Sequence, residues 1–142
     1  MQQVKHLLEG KGKAVYAVAP DASVYEAIQQ MAEKNVGALV VIRGSELVGI
    51  VSERDYARKV ILKDRSSRDT PVAEIMTASV VTVASDATVD ECMRLCTDGR
   101  LRHLPVLDGD RIVGVVSIGD LVKAVISDQK ETINQLESYI TS

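Results

Sequence analysis

Gly49-Ile50-Val51-Ser52-Glu53-Arg54-Asp55 returns 65 residues later as Gly114-Val115-Val116-Ser117-Ile118-Gly119-Asp120. Extending outward, Val15–Ile61 lies on Val80–Ile126 without a gap, and 17 of 47 positions are identical. Unrelated segments match at only a few positions, so the chain is a duplication of a unit of about 50 residues. Each copy reads β-α-β-β-α. Val15–Val18 and Val80–Val83 are short apolar runs of strand type. Ser23 with Glu26, and Thr88 with Glu91, have the S/T-x-x-E spacing of a capping box at a helix start. Val24, Ala27, Ile28 and Met31 then recur at helical spacing, as do Val89, Cys92, Met93 and Cys96. Strands at Ala38–Ile42 and Leu47–Val51 follow, joined by Arg43-Gly44-Ser45; their counterparts are His103–Leu107 and Ile112–Val116, joined by Asp108-Gly109-Asp110. A second helix begins at Ser52 or Ser117.

The fold class is therefore α+β, with two repeats and short helical segments at both ends. A unit of about 50 residues buries little surface, so the copies are expected to share one core. Pairing with pseudo-twofold symmetry would do this and leave two equivalent clefts. The expected organisation is a first repeat at residues 10–62, a linker at 63–73, a second repeat at 74–127 and a C-terminal helix at 128–142. Lys63–Pro71 is charged, contains Ser and closes on Pro, so it reads as the place where slack between the repeats is taken up. Val4, Leu7 and Leu8 give the front end an apolar edge. Ile133, Leu136 and Ile140 lie on one face of the last helix, where a homodimer contact is expected.

Composition narrows the function. The 142 residues are 46% hydrophobic and only 3% aromatic, so the core is aliphatic and platforms for stacking single-stranded nucleic acid are absent. The formal charge of −3 lacks the basic excess of a nucleic-acid binder. No run of 18 apolar residues exists, and the front end has no secretion-signal pattern, so no membrane span and a reducing cytoplasm are expected. Cys92 and Cys96 are four apart and align with Ala27 and Met31, which makes them core residues rather than metal ligands.

The motif G-h-V-S-x-x-D has two readings. In one, Ser52 and Ser117 are helix N-caps and the Asp three residues on completes a capping box. In the other, the helix start and the Ser hydroxyl hold a phosphate, while Asp55 or Asp120 accepts the two hydroxyls of a ribose. A Gly before the turn would let a ligand approach the backbone. Phosphate and diol binders one turn apart suit a nucleotide.

The duplicated unit with this motif resembles a CBS domain pair, the Bateman module, in its stand-alone bacterial form, over residues of about 10 to 127. That resemblance implies a regulatory module that binds adenosine ligands such as AMP, ATP, NAD or S-adenosylmethionine in the clefts, with no metal required. Carried over by position, Asp55 and Asp120 are the ribose-binding residues, and Ser52 and Ser117 lie on the phosphate side. Arg54 and Gly119 stand where the family also contacts phosphate. Gly37, Ala38, Arg102 and His103 begin the middle strands, where backbone groups hold the adenine edge. Val51 and Val116 flank the base. Lys11, Lys13 and Tyr16 complete the Asp120 cleft, and Thr77, Ser79 and Val81 the Asp55 cleft. The change from Gly37-Ala38 to Arg102-His103, and from Arg54 to Gly119, implies clefts of different preference.

His103 reads either as a ligand-facing group or as a partly exposed strand residue. Arg54, Arg58, Lys59, Lys63 and Arg65 form a solvated helix face whose near end can touch phosphate. Against the sensor stand a dimerising scaffold with empty clefts and an enzyme acting on a nucleotide. The enzyme is disfavoured by two lone His and the lack of a nucleophile–base arrangement. The resemblance also implies a separate protein that the module regulates.

Overall fold

A computed structural model describes residues 2–12 and 14–141. It contains helices α1 (Val4–Lys11), α2 (Val24–Lys34), α3 (Glu53–Lys59), α4 (Val89–Gly99) and α5 (Ile118–Thr141). The strands are β1 (Ala17–Val18), β2 (Ala38–Arg43), β3 (Glu46–Ser52), β4 (His103–Asp108) and β5 (Arg111–Ser117). The architecture is α+β, with β1-α2-β2-β3-α3 in the first repeat and α4-β4-β5-α5 in the second. The chain divides into two compact units, one of residues 14–81 and the other of residues 1–13 with 82–142. We call them the first-repeat and second-repeat units.

In the first-repeat unit β1 runs parallel to β2, and β2 antiparallel to β3. The second-repeat unit keeps the β4–β5 hairpin in the same register, but residues 80–83 form no strand; Val83 alone bridges to Val106. Pro105 explains the loss. Its counterpart Val40 donates its N–H to Tyr16 O at 3.2 Å, a bond that proline cannot make. The αL residues Asn35 and Arg100 end α2 and α4 at equivalent positions, and the predicted caps Ser23 and Thr88 accept from the amides of Glu26 and Glu91.

Each unit has its own apolar cluster. Met31, Leu39, Val51 and Ile75 are among the buried residues of one, and Leu8, Cys96, Leu104 and Leu121 among those of the other. Each cluster is enlarged by chain from outside its repeat. Val72 and Ile75 enlarge the first; Val4, Leu7 and Leu8 of α1 enlarge the second. Each such segment precedes one repeat in sequence and packs with the other.

The stretch read as a linker is built into the first-repeat unit. Val24 and Tyr25 amides donate to Thr70 O and Ser67 O at 2.8 and 3.0 Å. Thr70, only 3% exposed, donates its hydroxyl to Ser66 O at 2.6 Å. Arg68 lies 4.0 Å over the Tyr25 ring. Residues 63–73 are therefore no slack connection, because side chains and backbone both tie them to the start of α2. The C-terminal helix also differs from expectation. It is the second helix of the repeat, continued without a break as one α5 of 24 residues, since no Pro or Gly follows Gly119.

Candidate functional site

The two G-h-V-S-x-x-D segments lie at the β3–α3 and β5–α5 junctions. In the second-repeat unit the Ser117 amide donates to Asp120 Oδ2 at 2.8 Å, and the Asp120 amide to Ser117 Oγ at 3.1 Å. In the first-repeat unit the corresponding bonds of Ser52 and Asp55 are 3.0 and 3.2 Å. The capping reading is thus realised in both repeats. It holds each carboxylate half-buried beside the strand end, with its position set by two reciprocal bonds.

Each carboxylate also meets a lysine, but from a different source. Lys11, at the end of α1, places Nζ 2.6 Å from Asp120 Oδ2 and donates to Val115 O at 2.8 Å. In the first-repeat unit Lys59, one turn along α3, lies 3.2 Å from Asp55 Oδ1 and donates to Ile75 O at 2.8 Å. Lys11 and the Ser117 amide both bond Asp120 Oδ2. Lys11 was expected at the Asp120 site and is there. Lys59, expected on a solvated helix face, instead pairs with Asp55 at i,i+4, a spacing that is a legible ion-pair signal.

Burial works to raise the Asp120 carboxyl; the Lys11 hydrogen bond and charge, with the bonds from Ser117, outweigh it and hold the group below its ordinary value. His103 sits beside them and is pushed below its ordinary 6.5, first by burial and then by the Lys11 charge, with Asp120 opposing. The unfolded chain therefore binds more protons at His103 below about pH 6.5, and stability falls there on acidification. The Asp120 contribution has the same sign. It is complete above the ordinary value of 3.8 and is lost as pH falls through the lowered folded value.

The remaining residues fall in several places. Gly37 O accepts from the Glu53 amide at 3.1 Å, and Arg102 O from the Ile118 amide at 2.8 Å, so both middle-strand starts are tied to the helix starts. Ala38 and His103 pair with Ser52 and Ser117 across the hairpins. Arg54 and Gly119 are exposed at the first turns of α3 and α5, and a Cβ at Gly119 would meet only Ser117 Oγ, at 3.6 Å. Thr77 exchanges backbone bonds with Ile50 of β3 at 2.9 and 3.0 Å; Ser79 and Val81 lie exposed beyond it. Tyr16 packs on the first-repeat cluster, where Lys34 Nζ lies 5.5 Å from its ring centre. Lys13 lies outside the described residues.

Two expectations need correction. Val51 and Val116 are 1% and 0% exposed within their own clusters, so their side chains do not face a base. The pleat turns alternate residues to opposite faces, which leaves Ile50 and Val115 on the other side. The motif glycines, read as room for a ligand, are covered by protein. A Cβ at Gly114 would lie 2.6 Å from Leu8 Cδ2; at Gly49 it would lie 2.5 Å from Met76 Sδ and 3.0 Å from the Thr77 carbonyl oxygen. Because that oxygen is backbone, Gly49→Ala should destabilise the fold by about 1–3 kcal/mol, the usual cost of overpacking. Urea titration of the variant measures this; a midpoint equal to that of the parent would contradict it.

Cys92 and Cys96 are free thiols buried in the second-repeat cluster, as their alignment with Ala27 and Met31 implies. Burial, then the neighbouring Cys96 and Glu91, push the Cys92 thiol up to about 11, far from the thiolate that a metal ligand or nucleophile requires. Among the described residues no group of three His, Cys, Asp or Glu is placed to hold a metal, and no helix is long and apolar enough to cross a membrane.

Known proteins share this arrangement. The CBS domain family matches at residues 12–62 and again at 72–127. The chain is 40% identical over 146 aligned residues to the Arabidopsis thaliana CBS domain-containing protein CBSX3, mitochondrial, covering 96% of this chain and 71% of that one. It is similar to the structure of a putative signal-transduction protein with CBS domains from Burkholderia ambifaria, at 53% identity and TM-score 0.86, covering 90% of this chain and 96% of that one. It also resembles the CBS domain pair of protein MJ0100 in complex with 5'-methylthioadenosine and S-adenosyl-L-methionine, at 25% identity and TM-score 0.81, covering 90% and 98% of the two chains. With two family matches in register with two Ser–Asp junctions, this chain belongs to the CBS domain family and carries a pair of its repeats, a regulatory module.

Proposed function

We propose that the chain senses adenine nucleotides of the AMP, ATP or NAD type, and that it binds them without chemistry. The carrying observation is the Ser–Asp junction, built twice with the same bonds, in which a fixed, half-buried carboxylate stands ready to accept ribose hydroxyls. The MJ0100 pair, with its two adenosine-containing ligands, supports that ligand class. Asp55 and Asp120 take the ribose; Ser52 and Ser117 face the phosphate side, with Arg54 in the first repeat and Lys11 in the second as cations. Gly37, Ala38, Arg102 and His103 supply the adenine edge. Lys13, Tyr16, Thr77, Ser79 and Val81 complete the two sites. The different cations imply different preferences, with Lys11 released from Asp120 when a diol takes its place. Signalling requires that ligand favour one arrangement of the protein, because equal affinity for two states shifts nothing. The sensor acts as a cytoplasmic homodimer on a protein that it regulates; the buried free thiols fit a reducing compartment.

One observation favours a second reading. The reciprocal caps and the two lysines already give both carboxylates partners within the protein, as a dimerising scaffold with empty sites would need. Thermal unfolding separates the two. A nucleotide at a hundredfold excess over Kd should stabilise the fold by about 2.7 kcal/mol and raise Tm. Hydrogen exchange should slow at the Ser52 and Ser117 helix starts. Unchanged Tm with AMP, ATP and NAD would favour the scaffold.

A further inference from the structure

Helix α5 presents two apolar faces. Leu121 and Ala124, 0% and 7% exposed, pack into the second-repeat cluster. The other face carries Val122, Ile126, Gln129, Ile133, Leu136 and Ile140, spaced alternately by four and three residues. That is an a/d heptad seam, with Ile at a, and Val, Gln and Leu at d, rather than the broader stripe of a helix lying on a globular core. Its apolar members rise in exposure from Val122 at 41% to Ile140 at 80%. Every described residue from Ile126 to Ile140 is exposed. About four turns of helix with their apolar seam exposed are marginal in water, so this half of α5 gains from a partner.

The flanking charges select that partner. Lys123, Lys130 and Glu137 occupy the e positions, and Val125, Thr132 and Tyr139 the g positions. A parallel pair sets e against g and gives no ion pair. An antiparallel pair sets e against e, so that in the register below Lys123 of each copy meets Glu137 of the other, two ion pairs against the single like pair that the two Lys130 make at the dyad. One antiparallel register also matches the whole seam. Val122 meets Ile140, Ile126 meets Leu136, and Gln129 meets Ile133, each contact occurring twice as an isologous interface demands. Its dyad brings the two Thr132 residues together, beside a shallow groove lined by Asp128, Gln129, Thr132 and Ile133. The segment carries Asp128, Glu131 and Glu137 against Lys123 and Lys130, so its polar face lacks the basic excess of a membrane-surface helix.

We propose that α5 dimerises the protein as an antiparallel coiled coil with α5 of a second copy, with Thr132 at the dyad. This specifies the assembly part of the function above and does not depend on nucleotide.

Full-length Thr132→Cys and Leu136→Cys test the orientation, because the native Cys92 and Cys96 are buried. Under mild oxidation without nucleotide, Thr132→Cys should form a reducible covalent dimer and Leu136→Cys should remain uncrosslinked. Sedimentation should give the parent twice 15.4 kDa and Ile133→Asp a single chain mass, with unchanged melting of the folded units. Crosslinking of Leu136→Cys instead would overturn the antiparallel pair, and a dimeric Ile133→Asp would overturn the seam. A monomeric parent would overturn both, while nucleotide binding measured on the same samples reports separately on the sensor.

Discussion

Asp120→Ala and Asp55→Ala should each lower affinity for an adenosine ligand at its own site by tenfold or more. A carboxylate that accepts a ribose hydroxyl makes a charge-assisted bond of about 1.5–3 kcal/mol, and the loss of one such bond already reaches a factor of ten. The two substitutions differ in their side effects. Asp120→Ala leaves Lys11 with the Val115 carbonyl alone, and Asp55→Ala leaves Lys59 with the Ile75 carbonyl. Both also remove half of a capping box, at about 1 kcal/mol of stability. Titration calorimetry on variants shown by circular dichroism to be folded separates affinity from stability. Wild-type affinity at both sites in both variants would confine the carboxylates to capping.

Leu8→Ala should destabilise the second-repeat unit by about 2–5 kcal/mol, as truncation of a buried leucine does. Leu8 is 2% exposed and lies over Gly114, where the absence of a Cβ makes its seat. Removal of residues 1–12 goes further. It takes Val4, Leu7 and Leu8 from the cluster and breaks the bonds from the Val4 and Lys5 amides to Ala87 O and Ser85 O, each 2.9 Å. Loss of the second-repeat unit with retention of the first is expected. Hydrogen exchange followed by peptide mass measures it: protection should vanish in β4, β5 and α4 while β2, β3 and α2 keep theirs. Equal loss in both units, or none, would contradict this account of α1.

The duplicated pattern was legible because both periodicities and both caps recur at one offset. Ser23 and Thr88 cap the helices that their spacing predicts. The Ser–Asp junctions were legible for the same reason, and Lys11, grouped with Asp120 from sequence, lies 2.6 Å from its Oδ2. What sequence concealed were contacts between segments far apart in the chain. Nothing in Val4, Leu7 and Leu8 says that they pack with β5 rather than with the repeat they precede. The glycines show the same limit. Gly49 and Gly114 demand space, but sequence cannot tell whether a ligand or Met76 and Leu8 fills it. The missing strand at residues 80–83 was readable in Pro105, once its partner was known to be the strand ahead of α4. Lys63–Pro71 looked like a linker by composition, yet its backbone carbonyls receive the amides at the start of α2.

Titration calorimetry of the full-length protein with AMP, ATP, NAD and S-adenosylmethionine tests the central claim most directly. The account expects saturable heat with at least one of them, lost in part with Asp55→Ala or Asp120→Ala and wholly in the double variant. No heat from any of the four, on protein denatured and refolded to remove bound ligand, would contradict it.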